Sequence, residues 1–383
     1  MDSFRKVLAI GAGVASMVLA ACGPTGPSAS NHSPLTSPTV AATAGASPSP
    51  SQSPSPALAD VRLVIDDFPA SEVRLARLDA TDTASVKGHF DGIVQDNVIV
   101  LNGTTLDALD RNGKVTKLGQ LAATPDWVGV GTVVVNPQLS QWLYVIRNDA
   151  MTTYIHLGTP TSDKVIATLP SPDGNSYYQT YAWIASGVYM VREPVGLGGA
   201  GPFLEYHFSL VKFDLTTDDV TPISPDCVVY QILVDGTMVC RGSIQAEGRL
   251  EIRSPSGGSN VIQVSIGNGT GDYTDTAFSR VAVSPDGKRL LAGRDGSKGS
   301  VSNYQMAVAD RTSSNAKAFG PLDYLPDAWL PDGRVVADHT CFYSGWGGGP
   351  CNASLDGTYI FSADGTSHTL FLKLTSGGVV GYV

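Results

Sequence analysis

Short stretches in which apolar and polar residues alternate, separated by turn formers, run through the chain from residue 60 onward. The clearest is Val281–Ala292, where two alternating runs flank Pro-Asp-Gly at 285–287. Two such runs joined by a tight-turn sequence predict a β-hairpin. The same pattern returns 46 residues later at Ala328–Ala337, which makes this hairpin one copy of a repeat.

Weaker copies of the hairpin precede the two clear ones. They lie at Gly92–Val100, Val133–Val145, Ala182–Val191 and Val229–Val239, and the turns recur roughly every 42 to 51 residues. A second pair of strands follows the hairpin in these units. A repeat of about 45 residues with four strands in each unit is typical of a β-propeller blade.

The two ends of this region supply one more blade. Gly377–Val383 can form an innermost strand, and Val61–Ile65, Val73–Leu78 and Ala84–Phe90 can form the other three. Joining them removes an open sheet edge, which would otherwise expose unpaired backbone groups. Residues 60–383 are therefore predicted to be an all-β propeller of four-stranded blades, closed by its N- and C-terminal strands. Seven blades fit the period best, and six are the alternative.

The hairpin turn also carries a family resemblance. The sequence Ser-Pro-Asp-Gly-Lys at 284–288 resembles the WD40-like repeats of TolB-type propellers of the bacterial envelope. The resemblance is clear at Val281–Ala292 and Ala328–Ala337, weaker at 229–240, and only positional before that. It implies the fold but no substrate, because one fold serves many functions.

The first 21 residues have the composition of an export signal. Two basic residues precede the uncharged apolar run Val7–Leu19, which is short for a membrane span and suits a signal peptide. The run ends in Leu-Ala-Ala-Cys at 19–22, which resembles the bacterial lipoprotein signal. That resemblance implies that residues 1–21 are removed and that Cys22 carries a lipid anchor, with palmitate. The alternative is an ordinary signal peptide followed by a chance cysteine.

A tether is predicted between this signal and the propeller. Residues 23–59 contain eight prolines and nine serines, and no Asp, Glu, Lys, Arg, Phe, Trp or Tyr. Such a segment cannot bury enough apolar surface to offset its ordering entropy, so we expect disorder. With a lipidated Cys22, residues 22–59 would hold the propeller at the bacterial cell membrane, lipid-anchored on the extracytoplasmic side.

Cysteine usage agrees with export. Five cysteines are present, and four remain if Cys22 is lipidated. An even number in an exported chain favours disulfides. Of the three possible pairings, we predict the local one, Cys227–Cys240 and Cys341–Cys351, because each pair brackets a turn-rich stretch. Zinc is not predicted, since Cys-x-x-Cys is absent and the nearest histidine stands alone.

Charge narrows the class of partner. The chain has 25 Lys and Arg against 35 Asp and Glu, a net charge of −10, and no run of five basic residues. Nucleic-acid binding needs clustered cations, so no nucleic-acid partner is expected. We expect a monomer that binds an envelope protein, a peptide or a glycan, and that touches the membrane only through its lipid.

Long glycine-rich insertions and aromatic residues fall where blades join. Insertions at Glu193–Glu205, Arg294–Asn303 and Phe342–Pro350 should open on one face of the ring, opposite the short Pro-Asp-Gly turns. Aspartate or tyrosine precedes several innermost strands, which would give the channel an acidic, aromatic rim. The candidate ligand-face residues are Trp127, Tyr177, Tyr273, Tyr324 and Trp346. The alternative is that the aromatics pack between blades and the aspartates cap turns.

Signals of catalysis are weak. The sequence has no Gly-x-Ser-x-Gly elbow, no His-x-x-x-His spacing and no phosphate-binding glycine loop. Asp338 and His339 are adjacent and could act as acid and base. We predict no catalytic residue, cofactor or metal. The favoured function is a membrane-anchored binding or interaction module, and the alternative is an extracytoplasmic lyase or hydrolase with its site at the channel mouth.

Overall fold

The structure is a computed structural model of the chain. It describes residues 58–125, 132–147, 152–194, 209–241, 249–264, 281–295, 304–339, 352–373 and 378–383. These ranges are dominated by strands, with single-turn 3-10 helices at Leu58–Asp60 and Ala353–Leu355. The strands form seven four-stranded antiparallel blades in a propeller. The predicted fold class is therefore confirmed, and the ring has seven blades.

The strands follow one another along the chain blade by blade. Blades one to three contain β1 (Leu63–Asp67), β2 (Glu72–Ala76), β3 (Asp82–Lys87), β4 (His89–Val94), β5 (Asn97–Asn102), β6 (Thr105–Asp110), β7 (Val115–Gln120), β8 (Val133–Val135), β9 (Trp142–Arg147), β10 (Thr153–Thr159) and β11 (Ser162–Leu169). Blades four and five contain β12 (Ser176–Ile184), β13 (Gly187–Pro194), β14 (Ser209–Phe213), β15 (Val220–Ile232), β16 (Met238–Arg241), β17 (Arg249–Arg253) and β18 (Ser259–Gln263). Blades six and seven contain β19 (Val281–Val283), β20 (Arg289–Asp295), β21 (Tyr304–Asp310), β22 (Lys317–Leu322), β23 (Tyr324–Trp329), β24 (Val335–His339), β25 (Gly357–Phe361) and β26 (His368–Leu372). The last strand, β27 (Gly378–Tyr382), belongs to blade one.

The Pro-Asp-Gly turns form where the sequence predicts them, and their geometry explains the residues. Gly287 has a φ of +66°, in the left-handed region that glycine adopts without strain. Asp286 accepts hydrogen bonds from Ser284 Oγ at 2.6 Å and from Lys288 N at 3.1 Å. The aspartate thus fixes the turn through its side chain, and the glycine lets the backbone reverse.

The two ends of the chain meet in blade one. Strand β27 is innermost and pairs with β1, so that Leu63 lies opposite Tyr382. Arg62 and Val383 exchange two backbone hydrogen bonds of 2.8 and 2.9 Å. The pairing predicted between the C-terminal segment and the N-terminal strands is therefore present, and it closes the ring.

Two strand boundaries differ from the sequence prediction. The predicted strand Ala84–Phe90 is divided at Gly88, whose φ is +132°, so β3 ends blade one and β4 begins blade two. Strand β15 serves two blades, since its first half pairs with β14 and its second half with β16. A continuous strand therefore replaces a connecting loop, and blades four and five form one seven-stranded sheet.

The apolar core lies between neighbouring blades. Trp142 and Tyr144 of blade three, for example, pack against Ile99, Leu101 and Leu106 of blade two. Similar buried clusters occupy all seven junctions of the ring. Removal of this apolar surface from water holds each blade to the next.

Polar side chains reinforce the junctions near the axis. The innermost strand of blade two has a one-residue bulge at Asp91, whose buried carboxylate accepts a 2.9 Å hydrogen bond from Val133 N in blade three. Thr180 of blade four donates its hydroxyl to Thr132 O of blade three at 2.9 Å. Bulges recur on four more innermost strands, at Tyr181, Tyr230, Asp327 and Val380. A bulge changes the direction of a side chain, and in blade two it directs a carboxylate at the next blade.

Candidate functional site

One face of the ring collects the starts of the innermost strands. Because strands within a blade are antiparallel, the second strand of a blade ends at this face, whereas the Pro-Asp-Gly turns lie at the opposite one. We call it the long-loop face. In the described residues it carries the end of β9 at Arg147, the start of β12 at Ser176 and Tyr177, and the start of β23 at Tyr324.

The predicted ligand-face residues are only partly described. Trp127, Tyr273 and Trp346 lie outside the described residues, as do most of the predicted insertions. Tyr177 and Tyr324 lie at comparable positions, at the starts of the innermost strands of blades four and seven. Their surroundings differ, because Tyr177 is partly exposed whereas Tyr324 is buried.

Tyr177 is partly exposed and carries a cation over its ring. The guanidinium carbon of Arg147 lies 3.7 Å from the ring centroid, which is a cation–π contact. Arg147 ends β9 in blade three, so the contact bridges two blades at the long-loop face. The next residue, Tyr178, donates its backbone N–H to Thr153 Oγ1 at 3.2 Å, which fixes the strand start against blade three.

A second cation, Arg192, lies opposite Tyr178 in the register of β12 and β13. Its Nε donates to Ser176 Oγ at 2.8 Å, and a terminal nitrogen pairs with the Asp173 carboxylate. Asp173 also accepts hydrogen bonds from Ser176 Oγ at 2.7 Å and from Asn175 N at 2.9 Å. These hydrogen bonds, with Arg192, hold the pKa of Asp173 at about 2. The Arg192 and Asp173 side chains remain 35% and 41% exposed, so an ordered ion pair faces solvent.

We call Arg147, Asp173, Tyr177, Tyr178 and Arg192 the Arg–Tyr patch. Burial raises the pKa of Tyr178. The patch combines aromatic surface and two guanidinium groups on strand ends with one carboxylate in the bend before β12. Tyr and Arg are enriched among residues that dominate binding energy, because they combine large contact area with directed hydrogen bonds.

Tyr324 is buried, unlike Tyr177. It is 4% exposed, and its ring packs edge-on against Tyr359 and Phe361 with centroids 5.2 and 5.0 Å away. Its hydroxyl lies 3.2 Å from Nε2 of His368. Burial raises the pKa of Tyr324 to about 12. In blade seven the aromatic residue therefore packs within the junction with blade six. This agrees with the alternative stated from the sequence, in which the aromatic residues pack between blades.

Asp338 and His339, the adjacent pair with acid–base potential, have separate partners. The Asp338 carboxylate accepts a hydrogen bond from Thr358 Oγ1 at 2.6 Å, and both groups are buried. His339 Nδ1 lies 3.0 Å from Asp356 Oδ1. Consecutive strand residues point to opposite faces of a sheet, so adjacency in sequence does not bring these two side chains together.

A polar cluster that the sequence did not predict lies in blade three, where the segment from blade two enters it. His156 Nδ1 lies 3.0 Å from Asp163 Oδ1, and the Tyr144 hydroxyl donates to Asp163 Oδ2 at 2.8 Å. Ala122 N donates to both the carboxylate and the tyrosine oxygen, at 3.0 and 3.1 Å. The cluster ties the segment entering blade three to that blade. His156 and Asp163 flank the short β10–β11 turn, but that spacing does not distinguish a structural pair from a catalytic one.

The cysteines are described in part. Cys341 and Cys351 lie outside the described residues, as does Cys22. Cys240 is fully buried on β16, and Cys227 belongs to the neighbouring strand β15. The backbone register therefore places the two cysteines of the predicted pair on adjacent strands. The disulfide pairings and the lipid on Cys22 stay predictions.

Other features limit the kinds of site in the described part of the chain. There, no group of three or more His, Cys, Asp or Glu side chains could hold a metal ion. No helix in those ranges is long and apolar enough to cross a membrane. A cleft of about 620 Å³ lies between blades five and six near the Pro-Asp-Gly turn, lined in part by Asn260, Lys288 and Arg311.

Comparison with known proteins adds information on the fold alone. No protein-family profile matches the chain, and no curated protein matches its sequence. Its structure is similar to the β-propeller domain of the Trilobed protease from Pyrococcus furiosus (10% identity, 80% of this chain and 90% of that one, TM-score 0.46). It is also similar to TolB from Agrobacterium tumefaciens (11%, 67% and 87%, TM-score 0.39) and to virginiamycin B lyase from Staphylococcus aureus (13%, 79% and 88%, TM-score 0.40). The class that the structure defines is the seven-bladed β-propeller.

Proposed function

We propose that this protein is a membrane-anchored binding or interaction module that works outside the cytoplasmic membrane of a bacterium. The observation that carries the binding role is the Arg–Tyr patch, an ordered aromatic and cationic surface at the long-loop face. The Leu-Ala-Ala-Cys sequence at 19–22 supports the anchor, and the TolB-type repeat supports an envelope location.

The chemistry of the patch favours an envelope protein, a peptide or a glycan as the partner. A guanidinium group binds carboxylate and carbonyl oxygens through directed, often paired hydrogen bonds. Stacking on Tyr177 and pairing with Asp173 hold Arg147 and Arg192 in place, which lowers the entropy lost when a ligand binds. The chain has a net charge of −10, so the positive charge of two arginines on one face differs from that of the chain as a whole. This difference would orient a ligand that is rich in hydrogen-bond acceptors.

The test compares two arginines with similar exposure on opposite faces. Arg192 is 35% exposed and pairs with Asp173, whereas Arg334 is 32% exposed and pairs with Asp332 next to a Pro-Asp-Gly turn. The purified chain is used to capture partners from envelope extract, and each captured partner is then titrated. We expect Arg192→Ala and Tyr177→Ala to weaken its affinity by at least about tenfold, which is the loss typical of a binding hot spot.

Arg334→Ala is the control and should bind as the natural chain does. Equal binding by all three variants would contradict the proposed role of the patch. A partner that loses affinity only with Arg334→Ala would place the interaction surface on the opposite face.

A further inference from the structure

A second cluster lies on the long-loop face between blades one and two, away from the Arg–Tyr patch. Asp66 is at the end of β1, Phe68 is in the turn that follows, and His89 is the first residue of β4. The turn is ordered, since Ser71 N donates to Phe68 O at 3.1 Å and Gly88 N donates to Ser71 O at 2.8 Å. No sequence motif marks this cluster.

Two polar atoms of this cluster lack a hydrogen-bond partner in the described part of the chain. They are Asp66 Oδ1 and His89 Nδ1, and both are shielded from solvent. Burial raises the pKa of Asp66, and the nearby His89 and a hydrogen bond from Phe90 N partly oppose that effect. The imidazole thus lies within electrostatic reach of the carboxylate. Buried polar atoms without partners are rare in native proteins, and they indicate a missing water, ion or ligand group.

Phe68 lies beside these two groups with an unusually open ring. It is 62% exposed, and its ring centroid lies 5.2 Å from that of His89 at an interplanar angle of 44°. An exposed ring has little packing to lose when it tilts, so Phe68 can adjust to a ligand that approaches His89. The ring would then offer an apolar platform next to a carboxylate and an imidazole.

We infer that Asp66, Phe68 and His89 form a binding site for a neutral sugar ring. One hydroxyl can satisfy both unpaired atoms, because it donates its proton to the carboxylate and accepts an N–H from the imidazole. The apolar face of the sugar then covers Phe68. This combination of one apolar platform and a few directed polar groups is typical of small-ligand sites. The inference goes beyond the Arg–Tyr patch, since it concerns a different junction and a different ligand contact.

The test observes His89 directly in the full chain. The six histidines are labelled with ¹⁵N, and the His89 imidazole signal is assigned by its loss in His89→Gln. The probes are maltotetraose, cellotetraose and chitotetraose, with a neutral lysine-containing tetrapeptide as the competing ligand class. We expect one of the oligosaccharides to move the His89 signal to saturation.

Three variants decide between binding and a structural role. Asp66→Asn and Phe68→Ala should each weaken the oligosaccharide by at least about tenfold, since one loses a charged acceptor and the other the stacking surface. Val234→Ala, which truncates a 79% exposed residue in a hairpin turn at the opposite face, should bind unchanged. Arg192→Ala should also leave this titration unchanged, so a failed Arg–Tyr patch would not affect the result.

Several outcomes would overturn the inference. One is that none of the three oligosaccharides moves the His89 signal. Another is that the affinity is the same in Asp66→Asn and Phe68→Ala as in the natural chain. A tetrapeptide that moves the signal at lower concentration than every sugar would show that the site takes an amine or peptide group instead.

Discussion

Replacing Gly119 by alanine should test how tightly blades two and three pack. Gly119 lies on β7, the outermost strand of blade two, and faces the indole of Trp142 in blade three. A Cβ atom at this position would lie 2.0 Å from Cη2 and 2.5 Å from Cζ2 of that ring. Real Cβ contacts stay above about 3.0 Å, so the indole or the strand must move by about 1 Å or more.

The packing around the indole sets the size of the effect. Trp142 is fully buried, and a second glycine, Gly158 on β10, lies against its five-membered ring. The indole therefore cannot shift away from β7 without meeting β10. Overpacking of a well-filled core typically costs about 1–3 kcal/mol, and we expect the upper end here. With an unfolding entropy of about 2 cal/mol/K per residue, that corresponds to a fall in Tm of about 4 °C for a propeller of this size.

A rescue experiment distinguishes this steric clash from other causes. Phenylalanine at position 142 lacks the outer edge of the benzo ring that an alanine at 119 would meet. Thermal unfolding of Trp142→Phe, Gly119→Ala and the double variant should show that the two changes together cost less than their sum by about 2 kcal/mol. Gly158→Ala should not be rescued in the same way, because it meets the pyrrole edge at 1.9 Å from Nε1.

Gly92→Ala is the matched control. A Cβ at Gly92, on the innermost strand of the same blade, would meet nothing within 4 Å. If Gly119→Ala unfolds at the same temperature as Gly92→Ala, or if Trp142→Phe gives no rescue, the packing argument is wrong.

Two further predictions concern pH and the anchor. Burial raises the pKa of Asp91 well above 3.8, so the folded state holds the proton more tightly, and the free energy of unfolding should fall as pH rises from about 4 until it levels off above the folded pKa. Asp91→Asn cannot ionise and should flatten this part of the profile in denaturant titrations, whereas an unchanged slope would contradict the assignment. Cys22→Ser should move the protein from the membrane fraction to the soluble fraction, and a variant that stays in the pellet with unaltered lipid labelling would exclude the anchor.

The blade count could be predicted because it depends on local signals. The Pro-Asp-Gly turns need a glycine with a positive φ and an aspartate that caps the turn. These requirements fix the residue types at 284–288 and 331–333, so the turns can be recognised in the sequence. The closing strand followed from a physical need, since an unpaired edge would be open to other chains. These features do not depend on which residues meet across a junction.

The contacts between blades could not be predicted in the same way. The bulge at Asp91 depends on where the next innermost strand presents Val133, and residues 42 positions apart give no periodic signal. The Arg–Tyr patch has the same origin. Tyr177 was a candidate from its place before a strand, but Arg147 comes from another blade and meets it only in the folded ring, and Arg192 comes from β13, where it lies opposite Tyr178.

The described histidines bear on the choice between a binding module and an enzyme. His156, His339 and His368 are each held beside a carboxylate or a tyrosine within a blade, where they stabilise the ring. His89 differs from these three, since it begins an innermost strand at the long-loop face and its Nδ1 has no partner in the described part of the chain. A general acid or base must reach the group on which it acts. Of the two described histidines at the long-loop face, His339 is buried beside Asp356, whereas His89 has an Nδ1 without a partner. The enzyme alternative and the sugar site therefore converge on the same imidazole.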